Sequence, residues 1–511
     1  MFDESDWSRK FLFIICASFF SGILLFPQQA SANNLSVSNV TIASRSASAD
    51  TVTVQFDISW ANSWRNQTNY DAAWVFIKYT TDGGTTWAHA TLKTSGTNPS
   101  GFSIGSGTAI DIVVPTDKKG AFIQRSAVGS GSLSTTSVKF VWDYSTDGVS
   151  DTASVTLKVF GVEMVYIPTA NFYLGDGDGT TESSNAIHVT NNTTVLISTA
   201  AQSNVTVDSN ASDDIDTSPI SVDGDGGITG NASFPTGYSA FYLMKYEVTE
   251  GQWVDFFNTL TNTQKTTRDI TSNTNGGKNS DSASSRNTIA WTSGDATTTR
   301  TDRAMSYLSW MDGCAFTDWA ALRPITEFEF EKAARGPATV VAAEYAWGNT
   351  TITAAATISG TEDGTETITT SSANAAYNNT TFSGGDASSG PVRAGIFATS
   401  SSTRTQSGAG YYGNMELSGN VNDRCVNIGD STGRTFTGTH GDGALSSNGN
   451  ATNSDWPGYS SGEVTGAGGS NFRGGAWNSS ASVLSTSDRS NTATTSTRSN
   501  TRGFRAARTA P

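Results

Sequence analysis

Cysteine and histidine are nearly missing: three of each serve 511 residues. The histidines His89, His188 and His440 fall in unrelated segments, so an imidazole metal centre, which gathers two or three in one place, is excluded. No histidine stands ready to serve a serine nucleophile, and a hydrolase triad has no candidates either. Lysine and arginine are scarce too, 31 against 46 Asp plus Glu for a net charge of -15. Such an acidic surface repels phosphate backbones, which excludes nucleic acid as a partner. Beyond Phe26 no long apolar run occurs, so no later segment reads as a bilayer span.

What is present begins with a leader. Arg9 and Lys10 precede an apolar run from Phe11 to Phe26, and Gln28-Gln29-Ala30-Ser31-Ala32 supplies a small-residue exit. The pattern reads as a signal peptide over 1–32, cut after Ala32, whose product is secreted or held at the cell surface. A run of about 16 apolar residues is short for a membrane anchor. Removing it removes Cys16 and leaves Cys314 and Cys425, either one disulfide or two separate buried side chains.

Residues 33–162 read as an all-β sandwich. In TVTVQFDISW, Val52, Val54, Phe56, Ile58 and Trp60 share one face, and in VKFVWDY so do Val138, Phe140, Trp142 and Tyr144. Asp82-Gly83-Gly84 between two apolar stretches predicts a hairpin. Short strands without helical periodicity suit an immunoglobulin-like or fibronectin-like sandwich. No linker separates the sandwich from residues 163–511, so its last strand is expected to run straight on into them.

There the character changes. Thr249-x-x-Gln252, Ser309-x-x-Asp312 and Thr326-x-x-Glu329 are capping-box patterns and predict three helix starts. Trp253, Phe256, Phe257 and Leu260 come after the first at helical spacing, a core-facing stripe. Long polar insertions over 176–238, 261–303 and 350–405 read as surface loops or short hairpins. Gly-Asp-Gly-Asp-Gly at 175–179 and Asp-Gly-Asp-Gly at 223–226 read as tight turns, since neither has a Glu at the twelfth position of a calcium loop.

From Glu163 onward the blocks EMVYIPTANFYLG, FYLMKYEVTEGQWVDFF, YLSWMDGCAFTDWAALRPITEFEFEKAARGP, EYAWGN, GNMELSGNVNDR, FRGGAW and RGFRAAR resemble, in order, the formylglycine-generating enzyme (sulfatase-modifying factor) family. The resemblance implies a C-type-lectin-like α+β domain over 163–511. The expected architecture is therefore two-domain, an N-terminal β-sandwich and then a C-terminal lectin-like domain with long polar insertions. In the family's enzymes two cysteines between the Gly-Gly-Ser-aromatic block and the Gly-Phe-Arg block bind copper and oxidise a substrate cysteine. Here that interval, Asn478 to Thr501, holds no cysteine. Hydroxyl and amide oxygens are poor ligands for copper(I), which prefers thiolates. Copper chemistry is therefore not expected, and no catalytic set replaces it. The family's structural calcium, carried over residue by residue, would use the Glu416 side chain, the carbonyls of Gly419 and Val421, and the Asp423 side chain. Asn422 and Asp423 stand where the family has Trp and Glu, and a turn tied by hydrogen bonds is the alternative.

The cysteine-free interval is rich in small hydroxyl and amide side chains, groups suited to gripping a ligand. Asn478, Ser480, Ser482, Ser485, Ser487, Arg489, Asn491 and Arg498 are the candidate ligand-binding residues, expected on one exposed face. Arg473, Gly474, Gly475 and Trp477 are expected on a strand beside the one holding Arg502, Gly503, Phe504 and Arg505. The layout also resembles the variable C-terminal regions of retroelement-diversified binding proteins. The expected function is an exported, non-catalytic binding protein for a protein or glycan. The alternatives are a formylglycine-generating copper oxidase and a structural cell-surface protein.

Overall fold

The computed structural model describes residues 34–177, 186–187, 194–200, 206–207, 226–227, 231–378, 381–490 and 495–511. The expected leader 1–32, with Cys16, lies outside them, as do His188, Asn491 and most of the Asp-Gly-Asp-Gly turn at 223–226.

The first 167 residues supply seven main strands: β1 (Ser36–Ser46), β2 (Thr51–Arg65), β3 (Asp71–Thr80), β4 (Ile110–Val114), β5 (Ala121–Arg125), β6 (Gly129–Asp143) and β7 (Thr156–Ile167). β1, β2 and β6 pair antiparallel, with the short strand Ser106–Gly107 on the far side of β6. β7, β3, β5 and β4 form a second sheet facing the first. Between them lies one apolar core built from alternate residues: Val52, Val54, Phe56, Ile58 and Trp60 from one sheet, Ala73, Val75, Ile77 and Tyr79 from the other. Period-two alternation thus places the predicted faces inward. The expected hairpin turns at Gly83 and Gly84, both at positive φ, and returns only as the two-residue strand Ala88–His89.

β3 is buried along its whole length, on both faces. Its other set of residues, Ala72, Trp74 and Phe76, joins a second core with Phe122 of β5, Phe160, Val162 and Met164 of β7, and Phe256, Phe316 and Trp319 from the C-terminal half. The two halves are therefore welded. β7 pairs with β3 from Thr156 to Val165, and its end from Met164 to Ile167 pairs with β8 (Phe241–Met244). The sheet then continues through β12 (Ala506–Thr509), β9 (Arg323–Thr326), β10 (Asp423–Val426) and β11 (Ser470–Arg473). The last strand of the sandwich does run straight on, and a boundary at 162/163 falls inside it.

The three predicted capping boxes open α1 (Glu250–Phe257), α3 (Trp310–Trp319) and α4 (Glu327–Arg335), each with both reciprocal bonds formed. α2 (Asn262–Arg268) and α5 (Arg404–Ser407) arise inside segments expected to be loops. The 350–405 insertion is more than surface, because Ala355, Ile358, Phe382, Val392, Ile396 and Phe397 close a small core of their own. No helix among the described residues is long and apolar enough to cross a membrane.

Candidate ligand face and carboxylate cluster

The interval from Asn478 to Thr501 hangs between β11 and β12, and two arginines fold it inward. Arg489 lies under α4, where its Nε and Nη2 donate to Glu327 at 2.6 and 3.1 Å. Arg473 reaches the same carboxylate at 3.2 Å and Glu331 at 2.5 Å. Arg498 lies against α3, donating through Nε and Nη2 to Asp312 at 2.7 and 2.9 Å, and Arg268 reaches Asp312 at 2.9 Å. Asp312 also caps α3 and Glu327 opens α4, so each arginine clamps the first turn of a core helix. Burial alone would raise both acids, but the arginines win. Arg498 and Arg268 hold the Asp312 carboxyl well below the usual carboxylate range, and Arg489 and Arg473 hold Glu327 low as well.

This corrects the expected exposed face. Arg489 and Arg498 are 1% and 5% exposed, and Ser485 and Ser487 are buried beside them. Of the other candidates, Asn478, Ser480 and Ser482 are exposed, while Asn491 lies outside the described residues. The physical reason lies in the acids that open the helices. A buried carboxylate requires a cation, and this interval supplies two. The expectation of adjacent strands fails as well. β11 and β12 belong to one sheet but are separated by β10 and β9, which pair parallel to each other. The aromatic ends nevertheless meet, since Trp477 Nε1 donates to the Asn500 carbonyl at 2.9 Å. Phe504 lies against Gly313 and Trp310 of α3.

Cys314 and Cys425 are free and buried. They sit in different apolar clusters, and burial pushes both thiols up, so neither is a ready thiolate.

The two buried carboxylates of the Glu416–Asp423 turn, joined by Glu247 from just after β8, surround one guanidinium. Arg505 donates to Asp423 at 3.1 Å and to the carbonyls of Met244, Lys245 and Met415 at 3.0, 3.0 and 2.8 Å. Glu247, which sequence reasoning missed, accepts from Asn420 at 2.7 Å and from the Val421 amide at 3.1 Å. Burial, with Asp423 and Glu416 nearby, pushes Glu247 well up, and burial lifts Glu416 to about 7. Glu416 Oε2 and Asp423 Oδ1 are buried without a hydrogen-bond partner. Two orphaned carboxylate oxygens fit a hard cation in the chemistry of the donors. Among the described residues no three His, Cys, Asp or Glu side chains are grouped to hold a metal, so such an ion would lean on the carbonyls of Gly419 and Val421.

Comparison with known families settles the kinship. The sulfatase-modifying factor enzyme 1-like domain matches residues 230–510, more than half of the chain. The chain belongs to that family. No curated protein matches it. The matched stretch of this sulfatase-modifying factor homologue begins after the EMVYIPTANFYLG block. That block nonetheless supplies the end of β7 and the strand Phe172–Leu174.

Proposed function

We propose that this sulfatase-modifying factor homologue is an exported, non-catalytic binding protein, secreted or held at the cell surface, whose ligand is a protein or a glycan. One observation carries the reading: the interval between FRGGAW and RGFRAAR has no sulfur, and its two inner arginines tie it to α3 and α4. The outer rim, Asn478, Ser480 and Ser482, is left facing solvent, with short polar side chains that lose little entropy on binding. A structural calcium in the Glu416–Asp423 turn belongs to the same reading, supported by the orphaned oxygens of Glu416 and Asp423. The copper oxidase alternative requires Cys314 and Cys425 to act together, and their separate apolar surroundings speak against it. A structural cell-surface role is the second reading, favoured by the sheet shared between the two halves.

The test is capture on protein and glycan arrays by the chain lacking residues 1–32, beside an Asn478→Ala, Ser480→Ala, Ser482→Ala variant. Saturable capture lost in the variant supports the binding reading. Absence of capture on every array favours the structural one. Calcium is tested by equilibrium dialysis, with Asp423→Asn expected to weaken uptake at least tenfold.

A further inference from the structure

Six arginines are among the largest fully buried side chains: Arg303, Arg323, Arg335, Arg424, Arg473 and Arg489. Five are ion-paired, with Glu362, Glu329, Glu331, Glu331 and Glu327 respectively. Arg424 makes no ion pair among the described residues. Its Nη2 donates to the Thr495 carbonyl at 2.9 Å, while Nε and Nη1 are buried without a partner. A buried guanidinium with two idle donors is costly unless something meets it.

The same deficit reappears at Arg502. No Asp or Glu comes after Asp488 in the sequence, whereas five arginines do, at 489, 498, 502, 505 and 508. Four of them find acids elsewhere: Glu327, Asp312, Asp423 and Asp117. Among the described residues Arg502 does not, and its side chain bonds to Thr497. The guanidinium carbons of Arg424 and Arg502 lie 4.3 and 5.1 Å from the centre of the same Phe472 ring. Arg502 is partly exposed and Arg424 is fully enclosed. Burial and the charge of Arg502 push Arg424 down to about 9, which leaves it cationic at neutral pH. In a chain of net charge -15, two like charges are held together with no ion pair to either among the described residues, and Asp312, already clamped by Arg498 and Arg268, pulls on Arg424 without pairing with it.

We propose that Arg424 and Arg502, both held against the Phe472 ring, form an oxyanion site, taking one sulfate, phosphate or carboxylate group, free or carried by the ligand. Charge-assisted bonds from the idle Arg424 donors would hold the group, and Arg502 at the rim would admit it. The site deepens the binding reading by naming a group the ligand would bear, and it can fail separately from that reading.

The test is isothermal titration of the chain lacking residues 1–32 with sodium sulfate, phosphate and acetate, against sodium chloride at matched ionic strength. Saturable binding of at least one oxyanion is expected, weakened at least tenfold by Arg502→Gln and abolished by Arg424→Met. The Arg424→Met variant should unfold at or above the wild-type temperature in chloride, because an unanswered buried charge has been removed. No saturable binding by any of the three anions, or binding unchanged in both variants, overturns the proposal. Oxyanion binding that persists while array capture fails would sink the wider binding reading and leave this site standing.

Discussion

Replacing Arg489 with Met separates a clamp from a ligand contact. Glu327 accepts from Ile428 N at 2.9 Å, Asn471 Nδ2 at 2.5 Å, Arg473 Nη1 at 3.2 Å, and Arg489 Nε and Nη2 at 2.6 and 3.1 Å. The substitution removes two of these bonds and one of two cations, while the Met side chain refills the space of the aliphatic stem. Leaving a buried charge wholly alone costs about 3–5 kcal/mol, and the surviving Arg473 lowers the expected loss to about 2–3 kcal/mol. That is a large share of a stability of about 5–15 kcal/mol. Urea unfolding of wild type, Arg489→Met, Glu327→Gln and the double variant measures it. The double variant should be less destabilised than the sum of the singles, by about 1–3 kcal/mol, because the two residues share one interaction. Arg489→Met within about 0.5 kcal/mol of wild type, with no coupling to Glu327, would refute the clamp and return Arg489 to the ligand face.

Two further outcomes rest on close packing and on burial of charge. A Cβ on Gly313 would lie 1.8 Å from Phe504 Cδ2. Gly313→Ala gains about 1 kcal/mol of helix propensity but forces overpacking of about 1–3 kcal/mol or more, so net destabilisation is expected on thermal unfolding. Burial lifts Asp318 to about 7, against the pull of the Thr452 amide and Lys78 and with help from Asp442. The folded chain therefore keeps a proton that the unfolded chain releases near pH 4. This contribution is fully present below about pH 4 and is lost as pH rises toward 7, by up to about 4 kcal/mol. Asp318→Asn should flatten that slope in unfolding midpoints measured from pH 4 to 7.5, and parallel slopes in the two proteins would rule the assignment out.

Local signals are legible in the sequence and pairings are not. The three capping boxes can be read because both partners of each lie within four residues of sequence. The same signature at Thr261-x-x-Gln264 and Thr403-x-x-Gln406 opens α2 and α5 and is open to the same reasoning, but polar surroundings hide it. Alternation in β2 reveals its buried face. In β3 it cannot, because a strand buried on both sides carries no polar register. The fates of Arg489 and Arg498 are illegible for another reason: their partners lie 162 and 186 residues away, so a polar loop and a buried clamp look alike in sequence. Sequence and structure also divide the site differently. Missing sulfur is visible in a string of letters, whereas the lack of an ion pair for Arg424 and Arg502 among the described residues emerges only when both are seen against the Phe472 ring.

The shared sheet makes a stronger statement than two domains in contact, and it can be broken on purpose. A fragment ending at Ile167 would retain the β1 to β7 pairings yet expose Trp74, Phe76, Phe122, Phe160 and Val162, which are now covered by the C-terminal half. It would also leave the Trp74 indole without the Ala320 carbonyl that accepts from it at 2.8 Å. At about 1.5–3 kcal/mol for each large apolar side chain returned to water, the five together amount to roughly 7–15 kcal/mol. That equals the whole stability expected of a domain this size. Residues 34–167 expressed alone should therefore be insoluble or bind a hydrophobic dye, and the longer chain should unfold in one transition. A monomeric fragment with its own cooperative unfolding would show that the even-numbered face of β3 is not held by the C-terminal half.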